Sequence, residues 1–147
     1  MKKTAVFLLL LALVGAVACT EKSKVREITY EDFINEIWDF NQSPKSFVFK
    51  GNTAVIVDFS AKWCGPCQLL VKRLEKLADE YEGQLTVYKV NVEKEKELAL
   101  NFHVEGLPVL FFIPQNGEYL KRLDGLPTEE KLRTIIEERL FDKQKLQ

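Results

Sequence analysis

The sequence is poor in the residues that build metal centres and disulfide-rich scaffolds. Its 147 residues include three cysteines and one histidine. Beyond the N-terminal segment only Cys64, Cys67 and His103 remain, whereas a structural zinc site takes about four Cys or His ligands. A scaffold held by disulfide bonds needs a higher density of cysteine. We therefore expect no bound metal and no disulfide framework.

Positive charge is not in excess either. Lys and Arg number 21 against 22 Asp and Glu, and the formal net charge is −1. Affinity for nucleic acid comes largely from Lys and Arg that neutralise phosphates, so we exclude a nucleic-acid partner. The sequence has no internal repeats or low-complexity tracts, and a hydrophobic fraction of 46% suits one folded domain with a full core.

The main apolar run, residues 5–18, is shorter than the ~20 residues that a transmembrane helix needs. Lys2 and Lys3 precede it, and a basic segment followed by a short apolar segment is typical of an export signal. We predict a signal peptide over residues 1–18. A retained signal anchor is the weaker alternative.

Small residues at positions 16–18 precede Cys19 and resemble the lipobox of a bacterial lipoprotein, although Ala16 stands where Leu is more common. We predict a lipidated Cys19 with residues 19–24 as a short tether, which places the protein in the periplasm or on the outer face of a bacterial membrane. The alternative is an ordinary cleavage site that releases a soluble periplasmic protein. Either location permits stable disulfides.

Residues 25–143 are predicted to form one domain in which helices and strands alternate. The predicted helices cover residues 29–41, 67–81 and 95–102, with a last helix that begins after Thr128. The predicted strands cover residues 47–49, 54–59, 85–92, 109–113 and 118–123, the last two joined as a hairpin by Asn116-Gly117. This order implies a mixed sheet covered by helices.

Trp63-Cys64-Gly65-Pro66-Cys67 lies between a buried strand and the start of a helix, a context that indicates a redox pair. Cys64 falls at the helix N-terminus, where free N–H groups and the helix dipole stabilise a thiolate and lower the thiol pKa from about 8.5. We predict that Cys64 is the nucleophile and that Cys67, one turn later, resolves the mixed disulfide. Pro66 suits the first helical turn.

Residues 55–67 resemble the active-site strand and turn of the thioredoxin family, and Gly106-Leu107-Pro108 resembles its cis-proline loop. The resemblance covers about residues 25–140. It implies an α/β thioredoxin fold, a central mixed β-sheet flanked by helices on both faces. It also implies a thiol–disulfide oxidoreductase that needs no cofactor, acts as a monomer and binds protein substrates. The implied substrate contacts are Trp63, Gly65, Pro66, Gly106, Leu107 and Pro108.

The resemblance further implies that Asp58 exchanges the proton of Cys67 and that Lys89 is the charge partner of Asp58. Burial in an apolar strand raises the pKa of a carboxyl group, although Asp58 could instead be a hydrogen-bonded structural residue. Ser60 stands where the family usually has an aromatic residue, and Gln68 where Lys is common. Both departures are expected to alter the local potential at the cysteine pair.

The function predicted first is reduction or exchange of disulfides in exported proteins, with electrons from a membrane redox partner. Reduction of apocytochrome cysteines is a narrower version of it. A disulfide-forming oxidant that uses the same cysteines is one alternative, and a non-catalytic binding or holdase module is another. His103 is expected to be a surface or packing residue rather than a general base.

Overall fold

The computed structural model describes residues 24–141. The predicted signal peptide, Cys19 and most of the predicted tether lie outside the described residues, so those boundaries stay predictions. Lys24, the last residue of the predicted tether, forms an ion pair with Glu82 at 2.5 Å. Within residues 24–141 no helix is long and apolar enough to cross a membrane.

Five strands form one mixed sheet: β1 Val25–Glu27, β2 Ala54–Ser60, β3 Leu85–Asn91, β4 Val109–Ile113 and β5 Lys121–Asp124. Their order across the sheet is β1-β3-β2-β4-β5. β1, β2 and β3 run parallel to each other, whereas β4 is antiparallel to β2 and β5 is antiparallel to β4. The central strands β2 and β4 are buried along their whole length, as their continuous apolar sequences require.

Helices cover both faces of the sheet. Their bounds are α1 Tyr30–Glu36, α2 Gly65–Glu80, α3 Lys96–Asn101 and α4 Glu129–Ile135, with a π-helical turn at Ile136–Leu140 continuing α4. Leu74 of α2 and Leu132 of α4 pack in one core with Ile56 of β2, whereas Phe33 of α1 and Leu98 of α3 pack in the core on the opposite face. The predicted sandwich is confirmed.

The predicted helix starts at Thr29 and Thr128 are confirmed. The Thr29 hydroxyl accepts a hydrogen bond from the Asp32 N–H, and the Asp32 carboxylate accepts one from the Thr29 N–H, which makes a capping box. The Thr128 hydroxyl accepts from the Lys131 N–H at 3.1 Å.

The segment between α1 and β2 differs from the prediction. The helix ends at Glu36 instead of residue 41, because the Asp39 carboxylate accepts hydrogen bonds from the N–H groups of Asn41 and Gln42 and closes a turn there. The predicted strand at residues 47–49 is wrong. Its aromatic side chains pack against the α1–α3 core instead of facing a neighbouring strand: Phe47 and Phe49 stack with centroids 6.3 Å apart.

The two edge strands also differ from the prediction. β1 was missed because three residues are too few for a periodic pattern. The β4–β5 hairpin is confirmed as antiparallel, but its loop spans residues 114–120 and β5 begins only at Lys121. Asn116-Gly117 still makes the turn: Gly117 has φ +69° and its N–H donates to the Pro114 carbonyl at 2.9 Å.

Candidate active site

The cysteine pair lies at the start of α2, shortly after the end of β2. Cys64 is the N-cap of α2, and its Sγ accepts a hydrogen bond from the Cys67 N–H at 3.3 Å. Pro66 lies in the first helical turn, where its missing N–H costs no hydrogen bond. Cys64 and Cys67 are joined by a disulfide with their Cα atoms 5.3 Å apart, so the structure shows the oxidised form of the pair.

The two sulfurs differ in their access to solvent. Cys64 is 5% exposed and Cys67 is fully buried, whereas the neighbouring Trp63 is 71% exposed. A macromolecular disulfide approaching from solvent therefore meets Cys64 first, beside an exposed aromatic surface. This difference matches the predicted division of roles, which needs an accessible attacking thiol and a shielded resolving thiol.

The loop before β4 lies against the cysteines. The Leu107–Pro108 peptide bond is cis, as expected. Leu107 packs against the small cluster formed by Ala61, Cys64 and Cys67, and a Cβ at Gly106 would meet no atom within 4 Å. The backbone beside Leu107 therefore lies next to the reactive pair with open space at Gly106, where an extended segment of another protein can approach.

Asp58 is fully buried in the middle of β2. Desolvation raises the pKa of its carboxyl group to about 7, while the Lys89 ammonium and the Ser60 hydroxyl both act to lower it. Lys89 is the register partner of Asp58 across the β2–β3 ladder, and Ser60 lies two residues along on the same face of β2. Neither oxygen of Asp58, nor the Ser60 hydroxyl oxygen, has a well-formed hydrogen bond within residues 24–141.

Such a carboxyl group can exchange a proton near neutral pH, because both of its protonation states are populated there. Asp58 and Lys89 are thus brought together as predicted. The role of Asp58 toward Cys67 stays a prediction.

Gln68 and His103 are the remaining residues that the sequence analysis considered. The Gln68 amide donates to the Lys62 carbonyl at 3.3 Å, so its side chain folds back over the start of α2. His103 is exposed at the end of α3 with φ +49°, and its carbonyl accepts a hydrogen bond from Arg122. His103 is a surface residue, as expected.

The sequence did not reveal that Ala61 and Val92 line the cysteine cluster. Val92 follows β3 and its N–H donates to the Ser60 carbonyl at 3.0 Å. Parallel pairing of β2 with β3 brings the carboxyl ends of both strands to one edge of the sheet. A prediction of this pairing would therefore have identified Val92 as a neighbour of the cysteines. Within residues 24–141 no group of three or more His, Cys, Asp or Glu side chains could hold a metal ion.

Comparisons with known proteins agree with this geometry. Residues 38–138 match the family model described as Thioredoxin. The chain is 36% identical over 111 residues to a thioredoxin of Borreliella burgdorferi, covering 76% of this chain and 93% of that protein. It is 35% identical to a chloroplastic M-type thioredoxin of Spinacia oleracea, covering 73% of this chain and 59% of that protein.

A similar solved structure is that of chloroplastic thioredoxin z. It superimposes with a TM-score of 0.63 at 30% sequence identity and covers 78% of this chain and 92% of the other. The likeness therefore extends over both the fold and the sequence.

Proposed function

Since the chain belongs to the thioredoxin family and is a thiol–disulfide oxidoreductase with a Cys-x-x-Cys pair, we propose that it reduces or exchanges disulfide bonds in exported proteins. The observation that carries this proposal is the placement of Cys64 at the N-cap of α2, beside the exposed Trp63 and the backbone of Leu107. This placement activates one sulfur and leaves room for a protein substrate.

The reaction proceeds in two exchanges. The Cys64 thiolate, stabilised by the N-terminus of α2, attacks one sulfur of the substrate disulfide and forms a mixed disulfide, and the other substrate sulfur leaves as a thiolate. Cys67 then loses its proton and attacks the Cys64 sulfur. This step closes the Cys64–Cys67 disulfide and releases the second substrate sulfur. The substrate gains two electrons, and the pair loses two.

Asp58 supports the second exchange. The Cys67 thiol is buried and must lose a proton before it can attack. Asp58 has a pKa of about 7, so near neutral pH it is ionised often enough to accept that proton, directly or through a water molecule. Lys89 keeps part of the Asp58 population ionised by its positive charge.

The location outside the cytoplasm rests on residues 1–24 of the sequence. The basic and apolar segments before Cys19 have the pattern of an exported, lipidated protein. In that compartment the oxidised pair has to be reduced again by a dithiol partner in the membrane, because soluble cytoplasmic reductants do not reach it.

The first test is the reduction potential of the Cys64–Cys67 pair in the full chain, measured in dithiothreitol and glutathione buffers. We expect a reduction potential of about −270 mV, the value of thioredoxin. A reduction potential of about −120 mV, the value of a strong oxidant, would show that the protein makes disulfides instead.

A reduction assay with insulin separates the roles of the two cysteines. With dithiothreitol as the electron source, the parent chain should accelerate insulin reduction and Cys64→Ser should not. Cys67→Ser should accumulate a mixed disulfide with the substrate. Full biological activity of a chain that carries both substitutions would instead support a binding or holdase module.

A further inference from the structure

The outer edge of β5 is the edge that faces away from β4. No strand in residues 24–141 pairs with the main-chain groups on this outer edge. Among the strands of residues 24–141, β5 is the last in the sheet and pairs with β4 alone. The Gly125 N–H donates to the Pro108 carbonyl at 2.9 Å, which extends the ladder by one pair. Because antiparallel hydrogen bonding alternates from residue to residue, the N–H and C=O groups of Arg122 and Asp124 point away from β4.

A cleft of about 300 Å³ follows this edge on the side of α4. Its apolar floor includes the side chains of Leu123 and Ile135. Three cations also line it, Lys121, Lys131 and Arg139, and Glu138 is the one acidic residue among the lining side chains. The cleft is thus lined by apolar side chains together with an excess of positive charge.

The three cations are exposed, and none of them forms an ion pair with a carboxylate within residues 24–141, whereas seven other Lys and Arg residues there do. The whole chain has a net charge of −1. A cleft with a net positive charge on such a chain is complementary to a partner with negative charge.

A second copy of the chain fits this edge poorly. Two β5 strands paired about a two-fold axis perpendicular to the sheet would carry both copies of α4 on the same side. The six cations of the two clefts would then face one another across the new pair of strands. Residues 142–147 of the same chain are also unsuitable, because they contain Lys143 and Lys145 and one acid, Asp142.

We propose that the β5 edge and its cleft bind an extended, acidic peptide segment of another protein as a sixth strand. The peptide backbone pairs with Arg122 and Asp124, and every second side chain enters the cleft. An apolar side chain there contacts Leu123 and Ile135, and acidic side chains on either side of it meet the cations. This docking site requires neither cysteine, so it goes beyond the proposed redox function.

A membrane surface is the competing acidic partner. Lipid headgroups neutralise cations, but they supply no regular row of N–H and C=O groups to a strand edge. The free edge of β5 beside the cations therefore favours a peptide, and vesicles become one arm of the test.

The probe is a capped seven-residue peptide, Thr-Glu-Thr-Val-Thr-Glu-Thr, which presents Glu, Val and Glu on one face of a strand. Titrated into the full, isotope-labelled chain and followed by amide NMR, it should shift the amides of Arg122 and Asp124. Two versions of the peptide, N-methylated at the two alternate sets of amides, separate backbone pairing from charge attraction. The version whose methyl groups block the N–H groups that face β5 should lose binding, and the other version should keep it.

Charge reversal in the cleft gives the second readout. Lys131→Glu with Arg139→Glu should weaken peptide binding at least tenfold, while Lys72→Glu with Lys96→Glu reverses two exposed cations elsewhere and should change it less than twofold. Insulin reduction should be unchanged in both double variants, which keeps this result separate from the redox proposal.

Several results would overturn the docking site. Equal binding of both N-methylated peptides excludes strand pairing. Equal affinity of the two double variants excludes the cleft. If sedimentation shows dimers formed through β5, the edge belongs to a second copy. If phosphatidylglycerol vesicles shift the same amides and the peptide leaves them unshifted, the edge belongs to a membrane.

Discussion

At the scale of single residues, the ionisation of Asp58 depends on its surroundings in β2. The strand places a carboxyl group among apolar side chains and leaves it only Lys89 and Ser60 to favour the ionised form. A group held in this way affects folding, because a pKa that differs between the folded and unfolded states makes stability depend on pH.

Asp58→Asn should therefore stabilise the protein at neutral pH. The Asp58 pKa rises from 3.8 to about 7 on folding, so the parent loses stability as the pH rises from about 4 to about 7, where only the unfolded state releases the proton. Asn imitates the protonated acid. Urea unfolding should give equal free energies below about pH 3 and a gain of up to about 4 kcal/mol for the variant above pH 7. Parallel pH curves for the two proteins would contradict this.

Removing either group that favours ionisation should raise the Asp58 pKa further. Lys89→Met removes the larger influence and Ser60→Ala the smaller, so we expect increases of up to about one unit, larger for Lys89→Met. NMR of the Asp58 carboxyl carbon against pH measures this directly. Lys94→Met is the matched control, because Lys94 pairs with Glu27 at 2.7 Å instead. A lower pKa in either test variant would contradict the assignment.

At the scale of elements, the segment between α1 and β2 adds an aromatic layer to the core around Phe102. The ring of Phe102 lies 5.0 Å from that of Phe33 and 5.0 Å from that of Phe111, with Trp38 and Phe40 at 6.3 and 6.1 Å. Offset and edge-to-face contacts of this kind add to the free energy of burial. The side chain of Phe102 thus joins α1, the following loop and β4.

Phe102→Ala should destabilise the fold by about 3–5 kcal/mol, because it removes a buried ring and leaves a cavity among aromatic neighbours. Leu100→Ala is the matched control at the end of the same helix: Leu100 is 74% exposed, so its loss should change the free energy of unfolding by less than about 0.5 kcal/mol. Chemical denaturation measures both. Similar losses in the two variants would mean that the aromatic layer does not stabilise the domain.

The sequence predicted the elements whose patterns are long. β2, β4 and α2 carry continuous or periodic apolar residues, and the structure has all three. The sequence failed where tertiary contacts decide. Phe47 and Phe49 are spaced like strand residues, yet Phe47 packs on Trp38 and Phe49 stacks on Phe47. β1 has only three residues and is defined by its pairing with β3.

The site was predictable for similar reasons. Cys64 and Cys67 belong to one short motif, so the sequence shows their spacing directly. The placement of Lys89 opposite Asp58 came from the resemblance, since residues in different strands have no sequence signal for their register. Val92 was missed because its contact with the cysteines follows from strand order alone.

At the scale of the whole molecule, the direction of the chemistry depends on the compartment in which the protein acts. The same Cys64–Cys67 pair reduces disulfides in a reducing compartment and exchanges them in an oxidising one, since the direction follows the potential of its partners. The export that residues 1–24 predict therefore bears on the proposed role as much as the active site does.

Cys19→Ala should release the protein from the membrane. In a bacterial host grown with radiolabelled palmitate, we expect the full chain to take up label and to fractionate with membranes, because a lipidated Cys19 anchors it. The variant should lose the label. Cys64→Ser is the matched control: it removes a different cysteine and should keep both the label and the membrane fraction. Unlabelled parent protein in the periplasmic fraction would show instead that cleavage releases a soluble enzyme, and an unlabelled parent in the cytoplasm would contradict export itself.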